Sequence, residues 1–213
     1  MTTHIHSVIV SYKRKELIKE TLQGYLDTVS VPHSLVIVDN GSPSDVTYWL
    51  SSLDVPVLFL EKNYFPGYAT NRGWELMPPE TNLLHRIDND TLLLPGWCEN
   101  AIECFKDPSV GQYGLLAAGD AEWLKKDGLY PNGMSGWPCG GNSIIHRKLY
   151  DEGVRYSENP WIHRATLEDT QLTWDVWNKG YGRVFSTKPV MEYMSGKYPD
   201  PDYDQEIIKS RGF

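Results

Sequence analysis

The chain has 213 residues, of which 40% are hydrophobic and 23% charged, and its formal net charge is −8. A chain of this length can bury enough apolar surface to fold as a single domain without disulfides or a structural metal. The acidic balance argues against a surface built mainly to bind nucleic acid or anionic lipid, since both need clustered lysine and arginine, although it leaves room for a local basic pocket.

The first part of the chain alternates short apolar strands with helical patterns, which predicts a parallel sheet with crossover helices. The predicted strands are 7–11, 34–38, 55–60 and 83–87, and the helices between them are 13–29, 45–53 and 67–77. Side chains in Ser42 to Asp45 are expected to cap the second helix.

The remaining elements are less regular. In chain order they are a helix at 96–105, a strand at 113–118, a loop at 128–141, a strand at 142–146, a helix at 167–179 and a strand at 183–191 that closes the sheet. Gly180 is expected to end the last helix in a left-handed conformation. Residues 196–213, rich in Pro, Asp and Lys, form a tail or a lid.

The sequence also bears on compartment and on the N-terminus. Cys98, Cys104 and Cys139 form no CxxC pair and no metal-ligand spacing, so we expect reduced thiols in a cytoplasmic protein without a membrane span or signal peptide. His4 and His6 could share a metal ion, but a frayed polar N-terminus is the better explanation.

Two acids follow the predicted strand 83–87, in the run Asp88-Asn89-Asp90. Ligands of open α/β sheets bind beyond the carboxyl ends of the strands, so these acids face a cleft. A hard divalent ion between them and a diphosphate would relieve their mutual repulsion. The alternative is an Asx turn with solvated acids.

A third acid, Asp39, follows the strand 34–38 and precedes an Asn-Gly turn. There it can accept hydrogen bonds from a base or a ribose, or it can simply belong to the turn. Ser11 and Tyr12, at the end of the first strand, would lie beside it. They offer a hydroxyl group and an aromatic face for a base, unless they only terminate the strand.

The helix predicted at 167–179 begins with the run Thr166-Leu167-Glu168-Asp169. Thr166 as N-cap with Asp169 three residues later is close to a capping box. A carboxylate held at a helix start is also what a general base requires, and one residue could serve both purposes. Sequence motifs of serine, cysteine and metal hydrolases, of Walker-type ATPases and of dinucleotide-binding proteins are missing.

Taken together, the motifs of the chain resemble the family 2 glycosyltransferases of the GT-A fold, over about residues 5–195. They are VIVSYKR at 8–14, VIVDNGS at 36–42, NYFPGYATNRG at 63–73, RIDNDTLLLPGW at 86–97, GGNSIIHR at 140–147 and LEDTQLTWDVWNKGYG at 167–182. The resemblance implies a single Rossmann-like α/β domain with a mostly parallel central sheet flanked by helices. Residues 5–125 would bind a nucleotide-sugar, and residues 126–195 would bind the acceptor and catalyse transfer.

The resemblance also implies roles for individual residues. The nucleotide-binding set is Ser11, Tyr12, Asp39 (on the base), Asn71, Arg72 and Asp88. Asp88 and Asp90 match the DXD motif, with Asp90 as the direct ligand of Mn²⁺ or Mg²⁺ and Asp88 nearer the ribose or a metal-bound water. Asp169 matches the general base of an inverting displacement at the anomeric carbon.

The acceptor or donor sugar would meet the glycine-rich loop and the segment before the Glu-Asp pair. The residues expected there are Trp137, Gly140, Gly141, Trp161 and Glu168. Many members of the family carry a further metal-ligating His after the last strand, where this chain has the run 190–195 without one. Either Glu192 replaces it, or Asp90, the diphosphate and waters hold the ion alone.

The function expected from the resemblance is metal-dependent, inverting transfer of a sugar from a nucleoside-diphosphate sugar, with UDP as the expected nucleotide, to an acceptor hydroxyl group. A sugar-phosphate nucleotidyltransferase, a retaining transferase and a non-catalytic nucleotide-sugar or glycan-binding module are the alternatives. The acceptor is a glycan, a protein or a small molecule, while a modified base in nucleic acid fits the acidic balance less well.

Overall fold

A computed structural model of the chain describes residues 3–117, 139–159, 162, 167–186 and 188–210. The elements within these ranges are β1 (Ile5–Ser11), α1 (Lys15–Thr28), β2 (His33–Asp39), α2 (Ser44–Ser51), β3 (Val57–Phe59), α3 (Phe65–Trp74), β4 (Leu83–Asp88), β5 (Thr91–Leu93), α4 (Trp97–Cys104), β6 (Val110–Gly114), β7 (Ser143–His146), α5 (Arg147–Asp151), α6 (Glu168–Asn178), β8 (Gly182–Phe185), β9 (Met191–Tyr193) and α7 (Pro201–Ser210).

The central sheet has seven strands in the order β3-β2-β1-β4-β7-β6-β8. The first four strands of this order run parallel to one another, as the alternating strand and helix patterns predict. Strand β7 is antiparallel to both of its neighbours, and β6 and β8 are again parallel. The sheet is therefore mostly parallel, which confirms the predicted fold class.

Helices cover both faces of the sheet. Apolar side chains of α1, α2 and α4 form one core with alternate residues of the strands, and those of α3, α5 and α6 form a second core on the opposite face. Because neither face of the sheet is open to water, the central strands are buried on both sides, and all seven residues of β1 are buried although three of them are polar.

The prediction of one continuous strand over residues 183–191 is wrong. Residues Gly182–Phe185 form β8 at the edge of the main sheet, whereas Met191–Tyr193 form β9, which pairs antiparallel with β5 in a separate two-stranded sheet. Pro189 lies between them and has no N–H group to donate to a strand ladder, which favours a break at this point.

The prediction of a frayed N-terminus is also wrong, because the chain forms β1 from Ile5 onward. His6 is buried, and its ring nitrogens lie 2.8 Å from Ser34 Oγ and 3.0 Å from the carbonyl oxygen of Gly73. Burial lowers the pKa of His6, so the ring is neutral and serves as a structural link between β1, β2 and α3.

Two predicted helix caps differ in the structure. Pro43, with no capping side chain, precedes α2, because Ser42 instead accepts a hydrogen bond from the backbone N–H of Lys13 at 2.8 Å. Leu167 is the N-cap residue of α6, which begins at Glu168, and Thr166 lies outside the described residues.

Other predictions are refined or fall outside the described ranges. The strand predicted at 113–118 begins earlier and ends at Gly114, and the predicted tail contains the helix α7. Most of the loop at 128–141 and the boundary near residue 125 lie outside the described residues. Gly180 has φ +84° directly after α6, as predicted.

Two findings concern the chemistry of the chain as a whole. Among the described helices, none combines the length and the hydropathy needed to cross a bilayer. Cys98, Cys104 and Cys139 are free cysteines, so no disulfide joins them.

The turn after β2 gives a test of the fold. Gly41 has φ +81°, and a Cβ atom on it would lie 2.4 Å from the backbone carbon of Lys62, whereas Gly153 has φ +91° with nothing within 4 Å of a Cβ. We expect Gly153→Ala to lower the free energy of unfolding by roughly 1 kcal/mol through backbone strain alone, and Gly41→Ala to lower it by roughly 3 kcal/mol or more. Urea unfolding of both variants measures this, and equal losses would contradict it.

Candidate active site

The carboxyl ends of three neighbouring strands bring the predicted residues together. In the strand register, Ser11 is opposite Asp39, and Val10 is opposite Asp88. Ser11, Asp39 and Asp88 therefore lie side by side at the edge of the sheet where open α/β folds bind ligands.

Asp39 is fully buried at the end of β2. Its carboxylate accepts hydrogen bonds from Ser11 Oγ at 3.4 Å and from the backbone N–H of Ser42 at 3.1 Å. Burial raises the pKa of Asp39, and these hydrogen bonds oppose the rise. Donors from Ser11, Gly41 and Ser42 satisfy part of this carboxylate, and its oxygens can still accept a further N–H or O–H group brought by a ligand.

The turn after β4 is held by Asn142, which the sequence did not single out. The side-chain oxygen of Asn142 accepts hydrogen bonds from the backbone N–H of Asp88 at 2.9 Å and from Thr91 Oγ1 at 3.0 Å. This contact ties the segment before β7 to the turn that carries the two acids. The only signal in the sequence was its place inside the run GGNSIIHR.

Arg86 is the second functional residue that sequence reasoning missed. It is buried, its Nε and Nη2 atoms lie 3.0 and 2.9 Å from Asp88 Oδ1, and its Nη2 lies 3.6 Å from Glu168 Oε1. Its guanidinium also packs over the ring of Tyr156, at 4.9 Å from the ring centre. Burial opposes the charged form, yet Asp88 and the other acidic groups around it raise the pKa of Arg86.

A signal for Arg86 was available. A charged residue two positions before Asp88 in a predicted buried strand points to the same face of the sheet as Asp88, because side chains alternate along a strand.

Asp169 lies in the first turn of α6, next to the buried Glu168. One of its carboxylate oxygens accepts a hydrogen bond from the backbone N–H of Thr170 at 2.8 Å. Burial and the neighbouring charge of Glu168 raise the pKa of Asp169 to about 6, while Arg86 opposes the rise. A carboxylate with this pKa is ionised at neutral pH and is still basic enough to accept a proton, as a general base must.

The two glycines before Asn142 differ in their surroundings. A Cβ atom on Gly141 would lie 2.2 Å from Asp88 Oδ2 and 2.8 Å from Arg86 Nη2, whereas a Cβ atom on Gly140 would have Asp169 Oδ2 as its nearest neighbour at 3.9 Å. Gly141 is therefore required by the close approach of the Asp88–Arg86 pair. Both glycines lie between the acids of β4 and those of α6.

The second acid of the DXD run also has a cationic partner. Arg14 Nη1 lies 3.3 Å from Asp90 Oδ2. Four carboxylates, those of Asp88, Asp90, Glu168 and Asp169, thus share two guanidinium groups, which leaves the cluster with a net charge of −2 when all are ionised.

This cluster fits a hard divalent cation by charge and by donor type, since Mg²⁺ and Mn²⁺ prefer carboxylate oxygens. The described residues contain no group of three or more His, Cys, Asp or Glu side chains arranged to hold a metal ion. Glu192 is exposed on β9, opposite Leu92, and does not complete such a group. Among the described residues, such an ion would therefore need ligands besides these side chains.

Asn71 and Arg72 lie on α3 and contact a different segment. The side-chain amide of Asn71 donates to the carbonyl oxygen of Tyr156 and to Glu158, both at 2.9 Å, and accepts from the backbone N–H of Tyr156 at 3.1 Å. Arg72 pairs with Glu158 at 2.9 Å. These bonds position the segment whose Tyr156 ring packs against Arg86.

Tyr12 directly follows β1 and contacts the C-terminal helix α7. Its hydroxyl group donates to Glu206, which also pairs with Lys13, and its ring lies 6.1 Å from that of Tyr203. The predicted tail therefore covers the loop after β1. Trp137 and Trp161, predicted to contact sugar, lie outside the described residues.

The raised pKa of Asp169 predicts a pH-dependent stability. The folded-state pKa of Asp169, about 6, exceeds the ordinary value of 3.8. Ionisation of Asp169 therefore lowers the free energy of unfolding progressively as the pH rises from 3.8 to about 6, and the whole loss is present above about 6. We expect Asp169→Asn to raise the free energy of unfolding by up to about 3 kcal/mol at pH 8, and by about half as much at pH 5. Chemical unfolding in EDTA measures both.

The exposed Asp151 on α5 provides the control, because Asp151→Asn should change stability by no more than about 0.5 kcal/mol at either pH. An equal effect of Asp169→Asn at the two pH values would contradict the prediction.

The two glycines give a matched pair of variants. Gly141→Ala must displace the Asp88–Arg86 pair, and we expect it to lower the free energy of unfolding by about 2 kcal/mol or more. Gly140→Ala meets only an ordinary contact and should cost about 0.5 kcal/mol or less. Thermal unfolding of the two variants compares them, and a similar loss in both would refute the close approach.

Comparisons with known proteins bear on the family and the fold of the chain. The family model described as Glycosyl transferase family 2 matches residues 7–169, which is most of the chain. No curated protein matches the chain by sequence.

Solved structures share the fold at low sequence identity. TarS from S. aureus has a TM-score of 0.66 at 15% identity, with 98% of this chain and 39% of TarS covered. The mannosyltransferase PcManGT from Pyrobaculum calidifontis, solved with GDP-Man and Mn²⁺, has a TM-score of 0.72 at 15% identity, with 95% of this chain and 59% of that chain covered. TarS 1–349 in complex with UDP-GlcNAc has a TM-score of 0.64 at 16% identity, with 98% and 65% covered.

The chain thus spans about two fifths of TarS and less than two thirds of the other two structures. The match over residues 7–169, the sheet order and the placement of the motif acids lead to one assignment. The chain belongs to glycosyl transferase family 2 and has the GT-A fold.

Proposed function

We propose that this chain transfers a sugar from a nucleoside-diphosphate sugar to an acceptor hydroxyl group, with inversion at the anomeric carbon and with the help of Mn²⁺ or Mg²⁺. The observation that carries this proposal is the approach of the acids that end β4 to those that begin α6, because Arg86 pairs with both Asp88 and Glu168, and Glu168 is next to Asp169. The complexes of PcManGT with GDP-Man and Mn²⁺ and of TarS with UDP-GlcNAc support the donor class.

The strand ends provide the donor-binding side of the proposed reaction. Ser11, Tyr12 and Asp39 hold the nucleoside, with the buried carboxylate of Asp39 accepting a hydrogen bond from the base. Asp90 binds the metal ion directly, and Asp88 lies nearer the ribose. When bound, the divalent ion supplies a Lewis acid that stabilises the charge on the departing diphosphate.

Asp169 acts as the general base in this proposal. Its carboxylate accepts the proton of the acceptor hydroxyl while the acceptor oxygen forms a bond to the anomeric carbon. The bond from that carbon to the diphosphate breaks at the same time, and its electron pair leaves with the nucleoside diphosphate. A single displacement inverts the configuration. The pKa of about 6 keeps Asp169 ionised at neutral pH, so the rate should fall as the pH falls through about 6.

Glu168 and the glycine pair lie where the acceptor and the donor sugar would meet Asp169. Glu168 is buried beside Arg86, and a carboxylate there can accept a hydrogen bond from a sugar hydroxyl. Gly140 has no side chain, and the nearest atom to the position of its missing Cβ is Asp169 Oδ2, at 3.9 Å. The contacts of Trp137 and Trp161 with sugar remain predictions from the sequence.

The test is calorimetric titration with UDP, GDP, CDP and dTDP, each in Mn²⁺ and in EDTA. We expect one nucleotide to bind in Mn²⁺ only, and Asp90→Ala to abolish that binding because the ion loses its direct protein ligand. Asp169→Asn should keep the binding and lower donor turnover by about a hundredfold or more, since general bases contribute on that order.

Asp151→Ala, which removes an exposed carboxylate on α5, is the control and should bind nucleotide as the unmodified protein does. Equal nucleotide affinity in Mn²⁺ and in EDTA would favour a non-catalytic binding module over an enzyme. Undiminished turnover in Asp169→Asn would exclude Asp169 as the base.

A further inference from the structure

Both acids of the DXD run are already paired with arginines. Asp88 Oδ1 lies 2.9 Å from Arg86 Nη2, and Asp90 Oδ2 lies 3.3 Å from Arg14 Nη1. The two arginines differ in their place in the fold. Arg86 is enclosed between strands and helices, whereas Arg14 is in the loop between β1 and α1, beside the residues proposed to hold the nucleoside.

The backbone and side chain of Arg14 are both unusual. Its φ is +46°, a left-handed conformation that few non-glycine residues adopt, and Lys13 before it has φ +54°. This conformation directs the chain from Tyr12 into α1 and places the guanidinium beside the DXD turn. A strained backbone beside a ligand-binding loop is often part of a functional arrangement.

The guanidinium of Arg14 is held on three sides. Besides Asp90, its Nη2 donates to the carbonyl oxygen of Ser195 at 3.0 Å, and its planar face packs over the ring of Tyr203 at 4.8 Å. Its side chain is only 8% exposed, and its Nε–H is buried with no acceptor among the described residues. The group therefore has a fixed position and an unused donor.

A cation bound to Asp90 would be close to this guanidinium. Two positive groups within a few ångströms of one carboxylate repel each other, and the repulsion is strong where water is largely excluded. A diphosphate removes the conflict, because its oxygens can accept hydrogen bonds from the planar guanidinium and also ligate the cation.

We propose that Arg14 is a positioning residue that exchanges partners: it neutralises Asp90 in the donor-free protein and binds the diphosphate of the donor once a divalent cation occupies Asp90. The inference rests on the proposed function and extends it, because it makes the binding of metal and of donor mutually dependent. Without the donor, Arg14 opposes binding of the cation to Asp90. Without the cation, the donor lacks the ion that its diphosphate would ligate.

The test compares Arg14→Met with the unmodified protein in two binding measurements that do not depend on turnover. Binding of Mn²⁺ alone is followed by the electron paramagnetic resonance signal of free Mn²⁺, and binding of UDP in saturating Mn²⁺ is followed by calorimetry. We expect Arg14→Met to bind Mn²⁺ alone about tenfold more tightly and UDP with Mn²⁺ about tenfold more weakly. A role limited to folding would not move the two affinities in opposite directions.

Lys15→Met is the matched control, because it removes one positive charge from the next residue, whose Nζ lies over Trp49 rather than near Asp90. It should leave both affinities unchanged. Arg14→Lys keeps the charge but not the planar fork, so Mn²⁺ alone should still bind weakly. Circular dichroism checks folding, and Arg14→Gln is the second neutral variant.

Weaker or unchanged Mn²⁺ binding in both neutral variants would overturn the inference, and so would UDP binding as tight as in the unmodified protein. In either case the metal-dependent UDP binding of the unmodified protein would still support the proposed function. If the unmodified protein failed to bind any nucleoside diphosphate in Mn²⁺, the proposed function itself would fall, and this inference with it.

Discussion

The buried ion pairing of Arg86 is the interaction on which the site depends. A guanidinium inside an α/β sheet is stable only if carboxylates neutralise it, and here they come from Asp88 on its own strand and Glu168 at the start of α6. Separating the two segments would leave a charge buried without a partner. The pairing therefore fixes the distance between the acids that end β4 and the acids that begin α6, and Gly141 allows the segment before β7 to approach the Asp88–Arg86 pair closely.

The part of the fold that could be predicted is the part governed by local periodicity. Four strands and their crossover helices follow from apolar patterns within about ten residues each, and Asp39 and Asp88 are at the edge of the sheet because they directly follow two of those strands. The antiparallel insertion of β7 and the pairing of β9 with β5 depend on contacts between distant segments, which no local pattern encodes.

The same limit applies to the site. Asn142 and His6 are polar residues whose roles depend on partners far along the chain, the turn at Asp88 for one and Gly73 for the other. The expected cap of α2 was a local rule overridden by a tertiary contact, because Ser42 instead accepts a hydrogen bond from the loop after β1. Arg86 was within reach of sequence reasoning, because strand alternation alone puts it beside Asp88.

The position of β7 in the sheet has a consequence for synthesis of the chain on the ribosome. Strand β4 pairs with β1 on one side and with β7 on the other. Because β7 follows α4 and β6 in the chain, it is synthesised after them, and the second side of β4 stays unpaired until then. Until then β4 is an exposed edge with free backbone N–H and C=O groups, and Arg86 on it has no Glu168 to face. Charged side chains on an edge strand disfavour pairing with another chain, and β4 carries two of them, Arg86 and Asp88, during this interval.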